Sequence, residues 1–153
     1  VTGIALSLTL ADEAATRALG ARIAGLLRPG DAVLLSGPLG AGKSALARAI
    51  LRALGVAGPV PSPTFTLVQL YETPGLMVRH FDLYRIEREL DLAELGLEEA
   101  LMDGAILVEW PERAMAEMPE DALRITLTPE GETGREARIT GGERWRSAVE
   151  ELT

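Results

Sequence analysis

The sequence predicts an α/β fold in three layers, with a mainly parallel central sheet between helices. Three observations carry that expectation. Ala32-Val33-Leu34-Leu35-Ser36 and Ala105-Ile106-Leu107-Val108 are continuous apolar runs, the composition of strands buried on both faces. Apolar residues at helical spacing fill much of the intervening chain. A glycine-rich octapeptide, Gly37-Pro38-Leu39-Gly40-Ala41-Gly42-Lys43-Ser44, stands where the first run gives way to a helical pattern. A chain of 153 residues suits one domain over residues 1–153, long enough to bury about two-thirds of its unfolded surface.

Ile4 to Leu10 reads as a strand. Asp12 is placed to cap a following helix, whose apolar face is Ala15, Leu19, Ile23, Leu26 and Leu27 and whose stop is Pro29-Gly30. The strand at 32–36 and the octapeptide come next. Leu46, Ala49, Ile50, Ala53 and Leu54 then recur at helical spacing, with Arg48 and Arg52 on the opposite side. Gly58-Pro59-Val60-Pro61-Ser62-Pro63 admits neither helix nor interior strand. Phe65–Glu72 and Leu76–Leu83 read as two strands joined through Thr73-Pro74-Gly75, an antiparallel hairpin. Residues 87–102 have a helical pattern built on Leu90, Leu92, Leu95, Leu97 and Leu101. After the buried run at 105–108 come Glu109-Trp110-Pro111. Leu123, Ile125 and Leu127 alternate with Arg124, Thr126 and Thr128, as in a half-exposed strand of antiparallel character. A helix from about Gly142 closes the chain.

The octapeptide fits G-x-x-x-x-G-K-S, the phosphate-binding P-loop, and strand, glycine loop, helix is the context that motif requires. Glycines at 37, 40 and 42 let the backbone turn its N–H groups of Leu39, Gly40, Ala41 and Gly42 toward one anion. The helix that follows adds the positive end of its dipole. Lys43 is the only lysine among 15 basic residues, and its compact ammonium suits a phosphate chain where a planar guanidinium would not. The expected contacts are Lys43 on the β- and γ-phosphates and the Ser44 hydroxyl on Mg²⁺. The fold class is therefore that of the P-loop NTPases, a mainly parallel sheet extended by antiparallel strands: the hairpin at about 65–83 and further strands toward the C-terminus.

Hydrolysis or transfer needs more groups near the γ-phosphate. If Pro74 and Gly75 are the central turn residues, Leu67 faces Asp82, and Thr64 lies near Arg85 at the same open end. Thr64 and Asp82 then converge, a hydroxyl and a carboxylate suited to a Mg²⁺ shell, with Thr64 in the part of a switch threonine. Otherwise Thr64 ends a strand and Asp82 pairs with Arg85. Glu109 closes a buried run at the strand edge that faces the ligand crevice in open α/β sheets. There it suits orienting the attacking water or holding a metal-bound water; otherwise it is a surface glutamate after a core strand. Pattern alone leaves both Asp82 and Glu109 as candidates for the Walker B acid. His80 fits a site-shaping role or a structural one; Trp110 fits stacking on a base, meeting a partner, or core packing.

Composition removes several classes. Without cysteine there are no disulfides, thiolate zinc sites or cysteine nucleophiles, and one histidine excludes a multi-histidine metal centre. No stretch approaches eighteen apolar residues and the N-terminal residues lack a signal-peptide pattern, so no membrane segment and a cytoplasmic location are expected. A net charge of −8 argues against independent nucleic-acid binding. Arg135, Arg138, Arg144 and Arg146 form the one basic cluster, interspersed with glutamates.

Taken together, the motifs resemble the TsaE (YjeE) family, the small ATPase of bacterial tRNA threonylcarbamoyladenosine biosynthesis. The matching stretches are Leu39-Gly40-Ala41-Gly42-Lys43-Ser44, Ser62-Pro63-Thr64-Phe65-Thr66-Leu67-Val68, His80-Phe81-Asp82-Leu83-Tyr84-Arg85, Glu89-Leu90 with Gly96 and Glu98, and Glu109-Trp110-Pro111-Glu112. The resemblance spans roughly residues 7–128. It implies ATP and Mg²⁺ binding and slow hydrolysis in complex with TsaD and TsaB, which modify the adenosine beside the anticodon of tRNAs reading codons that start with A. It further implies that Lys43 and Ser44 hold phosphates and Mg²⁺, that Thr64 is the switch threonine, and that Asp82 and Glu109 serve metal and water. The chain departs from the family pattern at Pro38, usually aspartate, and Ser44, usually threonine.

Three other readings compete, one of them a non-catalytic nucleotide sensor that binds ATP to change its affinity for a partner. A GTPase would read guanine with Asn-Lys-x-Asp, but the chain has no asparagine and its lysine is already used. A small-molecule P-loop kinase would need an acceptor pocket and a lid of arginines, for which the cluster at 135–146 is the candidate.

Overall fold

The computed structural model describes residues 4–61, 63, 67–86 and 95–152. In chain order its elements are β1 (Ile4–Leu10), α1 (Glu13–Ala24), β2 (Ala32–Ser36), α2 (Lys43–Ala53), β3 (Val68–Thr73) and β4 (Leu76–Asp82). There follow α3 (Leu97–Asp103), β5 (Ala105–Glu109), a 3-10 segment (Pro111–Glu117), β6 (Leu123–Glu130), β7 (Gly134–Gly141), a 3-10 turn (Glu143–Trp145) and α4 (Arg146–Glu150). All seven strands join one sheet in the order β1-β7-β6-β2-β5-β4-β3. The centre is parallel, with β2 between β5 and β6 and with β4 beyond β5. Antiparallel strands β3, β7 and β1 extend it outward.

Both faces of the sheet are covered, which is why β2 and β5 carry no polar alternation. Val33 and Leu35 point into a core with Leu19, Ile23, Leu46, Ile50 and Val149. Their neighbours Ala32 and Leu34 point the other way, to Phe81, Ile106, Val108, Leu97 and Ala100. α1 and α2 cross so closely that a Cβ on Gly20 would lie 2.5 Å from the Cβ of Ala49.

The hairpin pairs Val68 with Phe81 and Thr73 with Leu76, the register expected from Pro74-Gly75 at its turn. The Asp12 carboxylate caps α1 by accepting from the Ala15 N–H at 2.9 Å. Two local expectations need correction, and a third holds on one edge only. α1 ends at Ala24, before Pro29-Gly30, and Leu26 and Leu27 continue only as tight turns. The helix expected over 87–102 is described only from Leu97, after Gly96 in the left-handed conformation (φ 67°, ψ 41°) that interrupts any helix there; residues 87–94 lie outside the described residues. β6 is antiparallel to β7 but parallel to β2, its alternation arising because Arg124, Thr126 and Thr128 are exposed.

Candidate active site

Register brings the site together. Leu35 pairs with Glu109, and Glu109 in turn with Asp82, so the carboxyl-terminal ends of β2, β5 and β4 lie level. The P-loop leaves β2 at that edge and α2 begins at Lys43. Leu39, Gly40, Ala41, Gly42, Lys43, Ser44, Asp82 and Glu109, with Tyr84 and Ala45, line one cleft of about 400 Å³. Thr64 lies outside the described residues.

The loop has the backbone the motif demands. Gly37, Gly40 and Gly42 take φ values of 142°, 78° and 100°, a region closed to most side chains. At Gly37 a Cβ would also sit 2.4 Å from the Leu127 carbonyl oxygen of β6. Gly42 is the N-cap of α2 and no side chain among the described residues caps that end, which leaves first-turn N–H groups and the helix dipole for an anion. Lys43 is buried and donates to the Pro38 carbonyl at 3.0 Å and to that of Gly37. Its ammonium also stands 4.1 Å from the centre of the Trp110 ring. Burial lowers the Lys43 pKa from its ordinary 10.5, while Glu109, Glu112 and Asp82 pull it back up. Phosphate oxygens would supply the counter-charge that burial denies it.

The acids have distinct partners. Ser44 donates its hydroxyl to Glu109 Oε1 at 2.8 Å. The other carboxylate oxygen, Oε2, lies 2.6 Å from His80 Nε2. Asp82 accepts the Tyr84 N–H at 3.1 Å. Of the two acids that the pattern leaves as candidates, Glu109 is the one touching the P-loop serine. Both are buried, beside a lysine and a hydroxyl. Among the described residues no three acidic or histidine side chains gather as a metal cage. A magnesium ion suits such a place because it takes one or two protein ligands and completes its shell with phosphate oxygens and water. The oxygen donors of Ser44, Asp82 and Glu109 fit that need.

Trp110 follows in a left-handed backbone (φ 59°, ψ 49°). This costly conformation for a bulky residue turns the indole over Lys43 and against Tyr84, with ring centres 4.8 Å apart. Tyr84 stands in the quoted His-x-Asp-x-Tyr-Arg stretch, yet sequence reasoning gave it no role. Arg135 was read only as part of a basic cluster. On β7, its Nε donates to the Ala41 carbonyl at 2.6 Å, bracing the loop from the far side. A second cleft, about 600 Å³, opens there between α1, α2 and the β6–β7 turn, lined in part by Asp12, Thr16, Gly42, Ala45, Arg48 and Arg135. No spacing rule in the sequence joins residue 135 to residue 41. The remaining arginines disperse. Arg138 faces solvent, Arg144 pairs with Asp31 at 2.8 Å, and Arg146 pairs with Glu143.

Comparison with known proteins fits this arrangement. The family profile described as threonylcarbamoyl adenosine biosynthesis protein TsaE matches residues 10–137. The chain belongs to the TsaE family. A tRNA threonylcarbamoyladenosine biosynthesis protein TsaE from Streptomyces coelicolor is 44% identical over 140 residues, covering 86% of this chain and 95% of that one. The TsaE protein of Bacillus subtilis is 36% identical over 140 residues, covering 90% and 87%. The crystal structure of Bacillus subtilis YdiB superposes with a TM-score of 0.84 at 29% identity, over 99% of this chain and 96% of that one. As a TsaE family member the chain has a P-loop fold and a place in threonylcarbamoyladenosine biosynthesis. Among the described residues no helix is long and apolar enough to cross a membrane.

Proposed function

We propose that this TsaE family member is the ATP-hydrolysing subunit of the tRNA threonylcarbamoyladenosine machinery, working in the cytoplasm with TsaD and TsaB. The observation that carries this reading is the contact of Ser44 with Glu109 at the mouth of the P-loop, which puts a hydroxyl and a carboxylate beside the phosphate-binding lysine. The triphosphate lies along residues 39–44, its charge met by backbone N–H groups, the α2 N-terminus and Lys43. The nucleoside extends from Gly42 into the cleft framed by Asp12, Thr16 and Arg135. Ser44, Asp82 and Glu109 hold Mg²⁺, with Thr64 as the switch threonine. When bound, the ion neutralises charge on the β- and γ-phosphates. Glu109 also orients the attacking water by accepting its hydrogen bond.

The tRNA is held by the partners, in keeping with a net charge of −8. The test is ATP hydrolysis by the purified chain, alone and with matched TsaD and TsaB. Weak turnover that rises with both partners is the expected outcome; turnover indifferent to them overturns the reading. The rival small-molecule kinase called for an arginine lid from 135–146. The arginines there serve Ala41, Asp31 and Glu143 or face solvent, which gives that rival no support.

A further inference from the structure

We propose that His80 is a positioning residue for Glu109, fixing which carboxylate oxygen faces the nucleotide. This inference rests on Glu109 serving metal and water, and goes beyond that reading by assigning the group that aims it.

His80 lies on β4, whose Asp82 pairs with Glu109 of β5, and only 2% of it is exposed. Its Nε2 is 2.6 Å from Glu109 Oε2, and its Nδ1 has no hydrogen-bond partner among the described residues. Burying an imidazole with one nitrogen unsatisfied is unfavourable. An apolar side chain would fill the same interior position without that penalty, so packing alone does not account for a histidine here. What histidine adds is a donor aimed at Oε2. A carboxylate only accepts, so the contact requires the proton on Nε2.

The consequence lies in the other oxygen. Glu109 is held twice, by Ser44 at Oε1 and by His80 at Oε2. Ser44 is also the hydroxyl assigned to the metal. Its oxygen lone pair can serve the ion while its proton still goes to Oε1, and among the described residues His80 is the side chain that holds Oε2. With Oε2 held from behind, Oε1 stays directed at the cleft. Partners standing behind a ligand in this way typically change affinity or activity about 10–100-fold when removed.

Because this is the only histidine in the chain, nitrogen-15 histidine labelling gives a single imidazole to follow by NMR. Without nucleotide, Nε2 should carry the proton, with a downfield proton resonance that moves upfield in Glu109→Leu. A ring protonated on Nδ1 alone overturns the proposal, and this measurement needs no variant at His80. Kinetically, His80→Phe should lower kcat for ATP by about tenfold or more while KM changes less than about threefold. It should also shrink the gain in nucleotide affinity that Mg²⁺ confers. His80→Gln, whose amide N–H reaches toward the place of Nε2, should recover most of both. Unchanged turnover in His80→Phe, or equal losses in the Phe and Gln variants at parental melting temperature, would show a structural role instead. Glu109→Gln separates the two levels. If it abolishes turnover while His80→Phe does not, this inference alone fails; if it hydrolyses ATP like the parent, the role of Glu109 itself is wrong.

Discussion

Lys43 gives two of its three ammonium N–H groups to carbonyls of its own loop, which leaves the third for a phosphate oxygen. Hydrogen bonds to charged groups contribute about 1.5–3 kcal/mol each. Lys43→Ala should therefore weaken ATP binding at least about tenfold by calorimetry, and parental affinity would remove the octapeptide from the phosphate site. Asp82→Asn and Glu109→Gln should act differently, lowering turnover about a hundredfold while leaving nucleotide affinity closer to the parent value. Equal hydrolysis by both variants and the parent would deny both carboxylates a part in the chemistry. Away from the site, the Tyr71 hydroxyl is buried with no hydrogen-bond partner among the described residues, and burial raises its pKa above 10.0 against the opposing pull of Arg52. The folded state thus keeps a proton that the unfolded chain releases first. Stability is unaffected well below pH 10.0, then falls as pH rises through 10.0 toward the higher folded value. Tyr71→Phe should melt within about 1 kcal/mol of the parent at neutral pH and lose less stability in alkali. An alkaline melting curve identical to the parent's would contradict this.

Helix α1 meets α2 through Gly20, where an added Cβ would stand 2.5 Å from one side chain and 3.0 Å from backbone atoms of Ala49 and Ile50. Alanine would gain about 1 kcal/mol in helix propensity. Forcing the helices apart costs about 1–3 kcal/mol, and rigid backbone among the clashing atoms favours the upper part of that range. Gly20→Ala should lower the melting temperature; an unchanged value would mean α1 shifts without loss. At this scale the sequence was readable wherever a local rule operates. Continuous apolar runs named β2 and β5, Asp12 named the start of α1, and Pro74-Gly75 set the hairpin register. Further strands toward the C-terminus were expected, but β7 was given no bounds, although Ala137 and Ile139 alternate with exposed Glu136 and Arg138, because the arginines there read as a contact site or a solvated face. The same limit applies at the site. Lys43, Ser44, Asp82 and Glu109 announce themselves by motif and by position at strand ends. Arg135 and the His80–Glu109 contact depend on which strands become neighbours, and residue spacing does not encode that.

Taken whole, the molecule carries eight more negative than positive charges, with its P-loop and the groups proposed to bind phosphate concentrated at one sheet edge. Long-range repulsion opposes a polyanion such as tRNA, whereas a nucleotide inside the cleft meets the N-terminus of α2 at short range, where screening matters less. The isolated chain is accordingly expected not to retain tRNA in filter binding at about 0.15 M salt, near which the Debye length is about 8 Å. Sub-micromolar retention would require a basic face that the dispersed arginines do not form.

The brace from Arg135 to the Ala41 carbonyl bears on the order in which a growing polypeptide becomes competent. Ribosomes release the P-loop and all the acids of the site before β7 emerges, so a nascent chain can display every motif residue while one wall of the nucleoside cleft is still unmade. On the proposed nucleotide site, capture would then be a late event in synthesis, governed by the final hairpin and not by the glycine loop that names the fold.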